Sequence, residues 1–68
     1  MELIIIKTGN DYIRVKEDQF ISVQFDKASV FPMDHLELVR EYEANLRAAG
    51  YTNVALKKLV IEEEDLLI

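Results

Sequence analysis

The chain has 68 residues and no cysteine, and its 8 basic and 13 acidic side chains give a formal net charge of −5. The absence of cysteine excludes a disulfide framework and cysteine-ligated metal sites. The negative charge disfavours a protein whose main function is to bind the phosphate backbone of nucleic acids. The length predicts one small domain over residues 1–68. Because the longest apolar run, residues 3–6, is far too short to span a bilayer, we expect a cytoplasmic protein without membrane contact.

The first half of the chain predicts three strands in a meander. Residues 3–6 are rich in β-branched side chains, and the Gly9-Asn10 pair after them is typical of a two-residue hairpin turn. Residues 12–16 alternate apolar and polar, and residues 17–19 predict a second turn before a third strand at residues 20–25. Strand alternation then gives one core-facing set (Ile13, Val15, Ile21, Val23, Phe25) and one opposite set (Tyr12, Arg14, Lys16, Phe20, Ser22, Gln24).

An amphipathic helix is predicted over residues 34–49. Asp34 and Glu37 have the spacing of a capping box, in which each side chain satisfies a free backbone donor of the first turn. Gly50 follows the last apolar position and suits the left-handed residue that ends many helices. At about 100° per residue the apolar side chains share one arc, which must lie on the sheet: Leu38, Val39, Tyr42, Leu46 and Ala49.

A last strand is predicted over residues 54–61. The order β-β-β-α-β indicates an α+β domain, with a four-stranded mixed sheet and one helix across one face. A strand that leaves a helix most simply runs parallel to the strand that entered it, so we place the last strand beside strand one and parallel to it, in the order 3-2-1-4. Strand one is apolar on both faces. Its far side therefore needs a cover: the tail (Leu66, Leu67, Ile68), a second copy of the chain, or a partner.

Acidic side chains give the first candidate binding surface. Asp34, Glu37 and Glu41 share one stripe of the helix, and carboxylates on a rigid face can imitate phosphates toward a basic groove. The simpler interpretation is a solvated face, whose charge is partly paired within the helix by Glu43 with Arg47 and by Glu37 with Arg40. The leading hypothesis is a non-catalytic module that docks on another protein, for example one that handles nucleic acid. The partner-binding residues would be Asp34, Glu37, Glu41, Glu62, Glu63, Glu64 and Asp65.

A second candidate surface is basic. Open sheets that bind single-stranded nucleic acid combine aromatic stacking platforms with cationic side chains. Tyr12, Arg14, Lys16 and Phe20 fit that description on the predicted far face, although the glycine-and-aromatic consensus of an RNA-recognition strand is missing. A cross-strand Tyr12–Phe20 pair that only shields the sheet is the simpler interpretation. Nucleic-acid binding is therefore the alternative hypothesis, and a structural homodimer is another.

No pattern in the chain predicts catalysis, a metal site or a cofactor. The single histidine, His35, has no nucleophile or carboxylate at a useful spacing and is expected to be half-buried where the helix starts. Two glycines are too few for a phosphate-binding loop. Residues 62–65 lack the spaced ligands and the turn glycine of a calcium loop.

The chain resembles small proteins of unknown function encoded by bacteriophages and other mobile elements. The resemblance lies in the segment YIRVKEDQFISVQFDKASVFP before the helix and in the glycine and closing strand after it. Asp26, Ala28, Phe31 and the Gly50-Tyr51 pair carry it. Such families are β-β-β-α-β proteins and include inhibitors of host defence, anti-CRISPR proteins among them. The resemblance implies an inhibitor or regulator of a host protein, and it assigns no functional residue.

Overall fold

The computed structural model describes residues 1–66, which form one five-stranded sheet with an α-helix packed on it. Two short 3-10 helices, Phe25–Lys27 and Met33–His35, lie on either side of the fourth strand. None of the described helices is long and apolar enough to cross a bilayer. The main elements are β1 (Glu2–Thr8), β2 (Asp11–Lys16), β3 (Gln19–Val23), β4 (Val30–Pro32), α1 (Leu36–Ala48) and β5 (Val54–Val60).

β1 is the central strand of the sheet. Along one edge it pairs with β5 over its full length, from Glu2 opposite Val60 to Thr8 opposite Val54. Its other edge is shared, because β4 pairs with the first half of β1 and β2 pairs with the last two residues. β3 pairs with the outer edge of β2. The α+β class is confirmed, and so is the predicted strand order, with the last strand beside strand one on the side away from strand two.

The prediction of a mixed, four-stranded sheet is wrong in its strand count and in one strand direction. β4 is an additional strand, and all pairs in the sheet are antiparallel. The chain reverses direction between β3 and β4, through Phe25–Lys27. α1 therefore connects β4 to β5, two strands that run parallel to each other on opposite edges of β1. The last strand does follow the direction of the strand before the helix, but that strand is β4 rather than β3.

The tight turn between β2 and β3 reverses the predicted orientation of β3. Glu17 and Asp18 have φ values of 50° and 61°, and Lys16 pairs directly with Gln19. The turn thus has two residues, whereas the prediction counted Gln19 as a third. One residue fewer shifts the register by one and exchanges the two faces of the strand. Phe20 and Ser22 face α1, and Ile21 and Val23 face away from it.

The core lies between the sheet and α1. Its fully buried side chains are Ile6, Ile13, Val39 and Leu46. Partly buried aromatic side chains, among them Tyr42, close its rim. The predicted arc of the helix is confirmed at its centre, at Val39, Tyr42 and Leu46, and is too wide at its margins, because Leu38 and Ala49 are exposed.

α1 begins two residues later than predicted. The 3-10 turn Met33–His35 precedes it, and neither of these helical segments has a side-chain hydrogen bond at its cap. The predicted capping box of Asp34 and Glu37 is therefore wrong, because the chain leaves β4 through a 3-10 turn and Asp34 lies inside that turn. His35, predicted to be half-buried, is exposed.

The C-terminal end of α1 is a Schellman motif, as the glycine predicted. Gly50 has a φ of 97°. The N–H groups of Gly50 and Tyr51 donate to the carbonyl oxygens of Arg47 and Leu46, each at 3.1 Å. These bonds satisfy carbonyls that the last helical turn leaves open. Tyr51 then packs against the core, which fixes the end of α1 on the sheet.

Candidate functional site

The face of the sheet turned away from α1 carries positive charge only. Since Ile4 and Ile6 are core residues, the alternate residues of β1 point to the other face, and their cross-strand partners do so with them. None of the strand positions on this face, within the described sheet, holds an acidic residue. We call this surface the basic face; its cations are Lys7, Arg14, Lys16 and Lys57.

Apolar side chains lie among these cations. Ile21, Phe25 and Val30 are the most exposed of them, with exposed fractions of 40%, 51% and 47%. The Phe25 ring contacts Tyr12 edge-on with 5.2 Å between ring centroids. The Lys7 ammonium lies 5.5 Å from the centroid of the Tyr12 ring, close enough for a cation–π interaction. The basic face is therefore amphipathic, and the prediction that Phe25 points to the core is wrong.

The structure brings together only part of the predicted nucleic-acid site. Tyr12, Arg14 and Lys16 share the basic face, but Phe20 lies on the other side of the sheet. There the Phe20 ring packs edge-on against Tyr42 with 5.9 Å between centroids. The shielding pair of Tyr12 and Phe20 is wrong for the same reason. Phe25, from the 3-10 turn after β3, is the aromatic neighbour of Tyr12.

A shallow hollow lies at one end of the basic face. Its volume is about 350 Å³, and its walls include Lys7 and Lys57 from neighbouring strands. The N–H of Gly9 donates to the carbonyl of Asn53 at 3.3 Å, which holds the β1–β2 turn against the loop before β5. Neither lysine forms a salt bridge to a described residue. Two unpaired ammonium groups beside a hollow suit an anionic group.

The predicted acidic residues gather at the opposite end of the sheet from this hollow. Pro32 pairs with Leu3 and Val60 pairs with Glu2, so the start of α1 and the segment after β5 lie at the same end. Asp34 and Glu37 come from the first of these segments, and Glu41 follows one turn along α1. We call this region the acidic end; its carboxylates are Asp34, Glu37, Glu41, Glu62, Glu63, Glu64 and Asp65, all exposed.

None of these carboxylates has an ion-pair partner among residues 1–66. The salt bridges in that range join Arg47 to Glu43 at 3.0 Å and Lys58 to Glu2 at 3.5 Å. The predicted pair of Glu43 and Arg47 is thus confirmed, and Arg47 also donates to the carbonyl of Val54 at 2.9 Å. The predicted pair of Glu37 and Arg40 is not formed. The charge of the acidic end is available to a partner.

Exposed apolar side chains accompany the acidic end, and they were not predicted from the sequence. Leu38 lies three and four residues from two of the stripe carboxylates and is exposed; Met33 in the preceding 3-10 turn is exposed too. Val60 and Ile61 are exposed where β5 ends. Reciprocal hydrogen bonds between the backbones of Met1 and Ile61, at 2.8 and 2.9 Å, hold this part of the chain in place.

The far side of β1 is covered differently from the prediction. Ile5 is only 3% exposed although it points to the basic face, and its neighbours across the strands are Val30 and Lys57. Leu66 is 83% exposed and covers nothing, so the predicted cover by the tail is wrong for this residue. The rest of that prediction, Leu67 and Ile68, lies outside the described residues.

Residues 1–66 hold no group of three or more His, Cys, Asp or Glu side chains arranged to bind a metal ion. The exposed carboxylates of the acidic end are thus spread along two segments rather than focused on one point. Such an arrangement suits contact with an extended surface better than coordination of an ion.

Comparison of the chain with protein-family models, with curated proteins and with solved structures finds no match. The two charged surfaces are the features of the described residues that indicate a function.

Proposed function

We propose that this chain is a non-catalytic protein-binding module that docks through its acidic end on a basic surface of another protein. One observation carries the proposal: the exposed carboxylates of the acidic end lack ion-pair partners among the described residues, and exposed apolar side chains lie between them. Charge complementarity speeds association and selects the partner, while buried apolar contacts supply most of the affinity. The acidic end has both components.

The helical part of the acidic end is rigid before a partner arrives. α1 is anchored by Val39 and Leu46, which are fully buried, and by the Schellman motif at Gly50. A preorganised surface loses little conformational entropy on binding. Glu37 also lies in the first turn of α1, where the helix dipole favours negative charge. Carboxylates can accumulate there at little cost to the fold.

The partner that fits this surface is a protein with a basic groove, such as one that handles nucleic acid. An inhibitor of a nucleic-acid-handling enzyme can occupy such a groove with carboxylates in place of phosphates, and this is the role that the predicted resemblance to small phage and mobile-element proteins would imply. The proposed role is therefore an inhibitor or regulator of a host protein.

A capture experiment with bacterial lysate tests the proposal. The tagged chain, the Glu37→Lys/Glu41→Lys variant and a control variant are compared after nuclease treatment, and captured proteins are identified by mass spectrometry. Asp11→Lys/Asp26→Lys is the matched control, since it makes the same charge change at two exposed positions outside the acidic end. We expect a stoichiometric, nuclease-resistant partner whose affinity falls at least about tenfold in the acidic-end variant alone. Equal loss in both variants would show that only net charge matters.

Single-stranded nucleic-acid binding on the basic face is the second candidate function. Its supporting observation is that Arg14 and Lys16 share a face with the exposed Phe25 ring. The Tyr12 ring is a poor stacking platform, because Phe25 contacts it and Lys7 lies over it. One free aromatic ring among aliphatic side chains favours a protein over a nucleic acid on this face.

A further inference from the structure

We propose that the basic face binds the acidic end of a second copy of this chain, so that copies associate head to tail. The proposal rests on the proposed function, in which the acidic end docks on a basic surface, and it names one such surface. Each of the two regions combines unpaired charge of one sign with exposed apolar side chains. They are complementary, and they belong to the same chain.

The signs of the charges also determine which surfaces of two copies can be in contact. Apposing two basic faces would bring the four cations of one copy against the same four of the other, and apposing two acidic ends would bring carboxylates together. Like charges in contact are strongly unfavourable at an interface. A symmetric dimer through either region is therefore disfavoured, and contact between unlike regions is favoured. Such a contact is heterologous and leaves one surface of each kind free.

The acidic end cannot satisfy the basic face of its own chain. Asp34, Glu37 and Glu41 lie on the α1 side of the sheet, and the basic face is on the other side. The described tail carboxylates at positions 62–65 do not satisfy it either, because all four are exposed and none forms a salt bridge within the described residues. A second copy brings the missing carboxylates without any change in the fold.

The hollow beside Lys7 and Lys57 is the place on the basic face that best receives a carboxylate. It is a depression of about 350 Å³ whose walls include both lysines. Exposed Val30 and Phe25 lie on the same face and can contact Val60 or Ile61 of the other copy. A contact built from exposed charges is screened by salt. The association is therefore expected to weaken as the salt concentration rises.

Two complementary variants test the head-to-tail arrangement. The face variant, Arg14→Gln/Lys16→Gln/Lys57→Gln, keeps the acidic end and carries no new charge, and the end variant, Glu37→Lys/Glu41→Lys, keeps the basic face. Sedimentation velocity at low salt is run on the wild type, on each variant and on their equimolar mixture. We expect concentration-dependent association of the wild type, monomers of each variant, and a heterodimer in the mixture that grows no further. Circular dichroism establishes that both variants are folded.

The outcomes separate the two proposals. A monomeric wild type at high concentration and low salt overturns self-association. So does a mixture that stays monomeric, or a variant that associates as strongly as the wild type. The proposed function is untouched by these results if the end variant still loses affinity for a captured partner. If the end variant keeps that partner, the proposed function fails, whatever the chain does with its own copies.

Discussion

The backbone N–H of Val15 donates to the hydroxyl oxygen of Ser29 at 2.9 Å. This bond closes the fork in the sheet, where β2 diverges from β1 and β4 takes its place beside it. The N–H of Ser29 donates in turn to the carbonyl of Ile13 at 3.1 Å. The segment before β4 is therefore tied to β2 by one side-chain bond and one backbone bond.

Ser29→Ala removes the acceptor of this partly buried bond. We expect the free energy of unfolding to fall by about 1–2 kcal/mol, because the Val15 amide is left without its partner. Urea denaturation measures the change. Ser22→Ala is the control, since Ser22 is exposed, and a loss at Ser22 as large as that at Ser29 would contradict this role for the fork.

The orientation of β3 is tested by comparing two phenylalanines. Phe20→Ala removes a ring that packs on Tyr42 in the core, so we expect a loss of about 3–5 kcal/mol. Phe25→Ala removes a ring that is half exposed on the basic face, and we expect a loss of about 1 kcal/mol from its contact with Tyr12. Thermal or urea denaturation distinguishes the two. A larger loss of stability for Phe25→Ala than for Phe20→Ala would contradict the observed orientation of β3 and support the predicted three-residue turn.

The helix face is tested in the same way by two leucines. Leu46 is fully buried, and Leu46→Ala should cost about 2–5 kcal/mol, enough to unfold much of so small a domain. Leu38 is 41% exposed beside the acidic stripe, so Leu38→Ala should cost less than about 1 kcal/mol. The Leu38 variant should instead lose partner affinity in the capture experiment. Normal affinity of that variant would remove Leu38 from the docking surface.

Gly50→Ala tests the end of α1. A Cβ atom at Gly50 meets no atom within 4 Å, so the only cost is the positive φ of 97°. We expect about 1–2 kcal/mol of destabilisation from that strain, and a smaller loss for Gly50→Asn, because asparagine tolerates this conformation better. Denaturant titration of both variants measures the difference. Equal losses would point to a steric rather than a conformational cause.

Single-stranded nucleic acid is tested by fluorescence anisotropy with labelled oligonucleotides at two salt concentrations. If the basic face binds them, Arg14→Ala/Lys16→Ala should weaken binding of all sequences alike and reduce the salt dependence. Lys27→Ala, at an exposed lysine of the 3-10 turn, is the control. Absence of binding at low salt would exclude single-stranded nucleic acid as a ligand of the basic face and favour a protein partner there.

The helix could be predicted because it depends on a local 3.6-residue repeat and on one glycine. The position of the last strand beside strand one was also predicted, but from a direction rule that gave the wrong strand direction. Val39 and Leu46 follow from the 3.6-residue repeat, and Gly50 ends the helix where its backbone freedom is needed. The orientation of β3 could not be predicted, since it depends on whether Gln19 belongs to the turn. Glu17 and Asp18 adopt positive φ values, and no glycine in the sequence indicates a two-residue turn at this position.

β4 was missed because it is too short to show a periodicity. It has three residues, and Pro32 at its end is a residue that disfavours strands. The pairing with β1 is a tertiary effect, and the direction of β5 was mispredicted as a consequence. The carboxylates on α1 followed from the helical repeat, and those at positions 62–65 from the acidic run in the sequence. The exposure of Val60 and Ile61 did not, since it depends on tertiary packing at the end of β5.

The pairing of the first strand with the last has a consequence for how the chain is made. β1 and β5 are joined by seven residue pairs, from Glu2–Val60 to Thr8–Val54. During synthesis β1 leaves the ribosome before β5 does, and its second edge cannot be completed until residue 60 is free of the exit tunnel. Contacts that distant in sequence also slow folding. Folding is therefore completed only after nearly the whole domain has been synthesised, and until then one edge of β1 is without its partner strand.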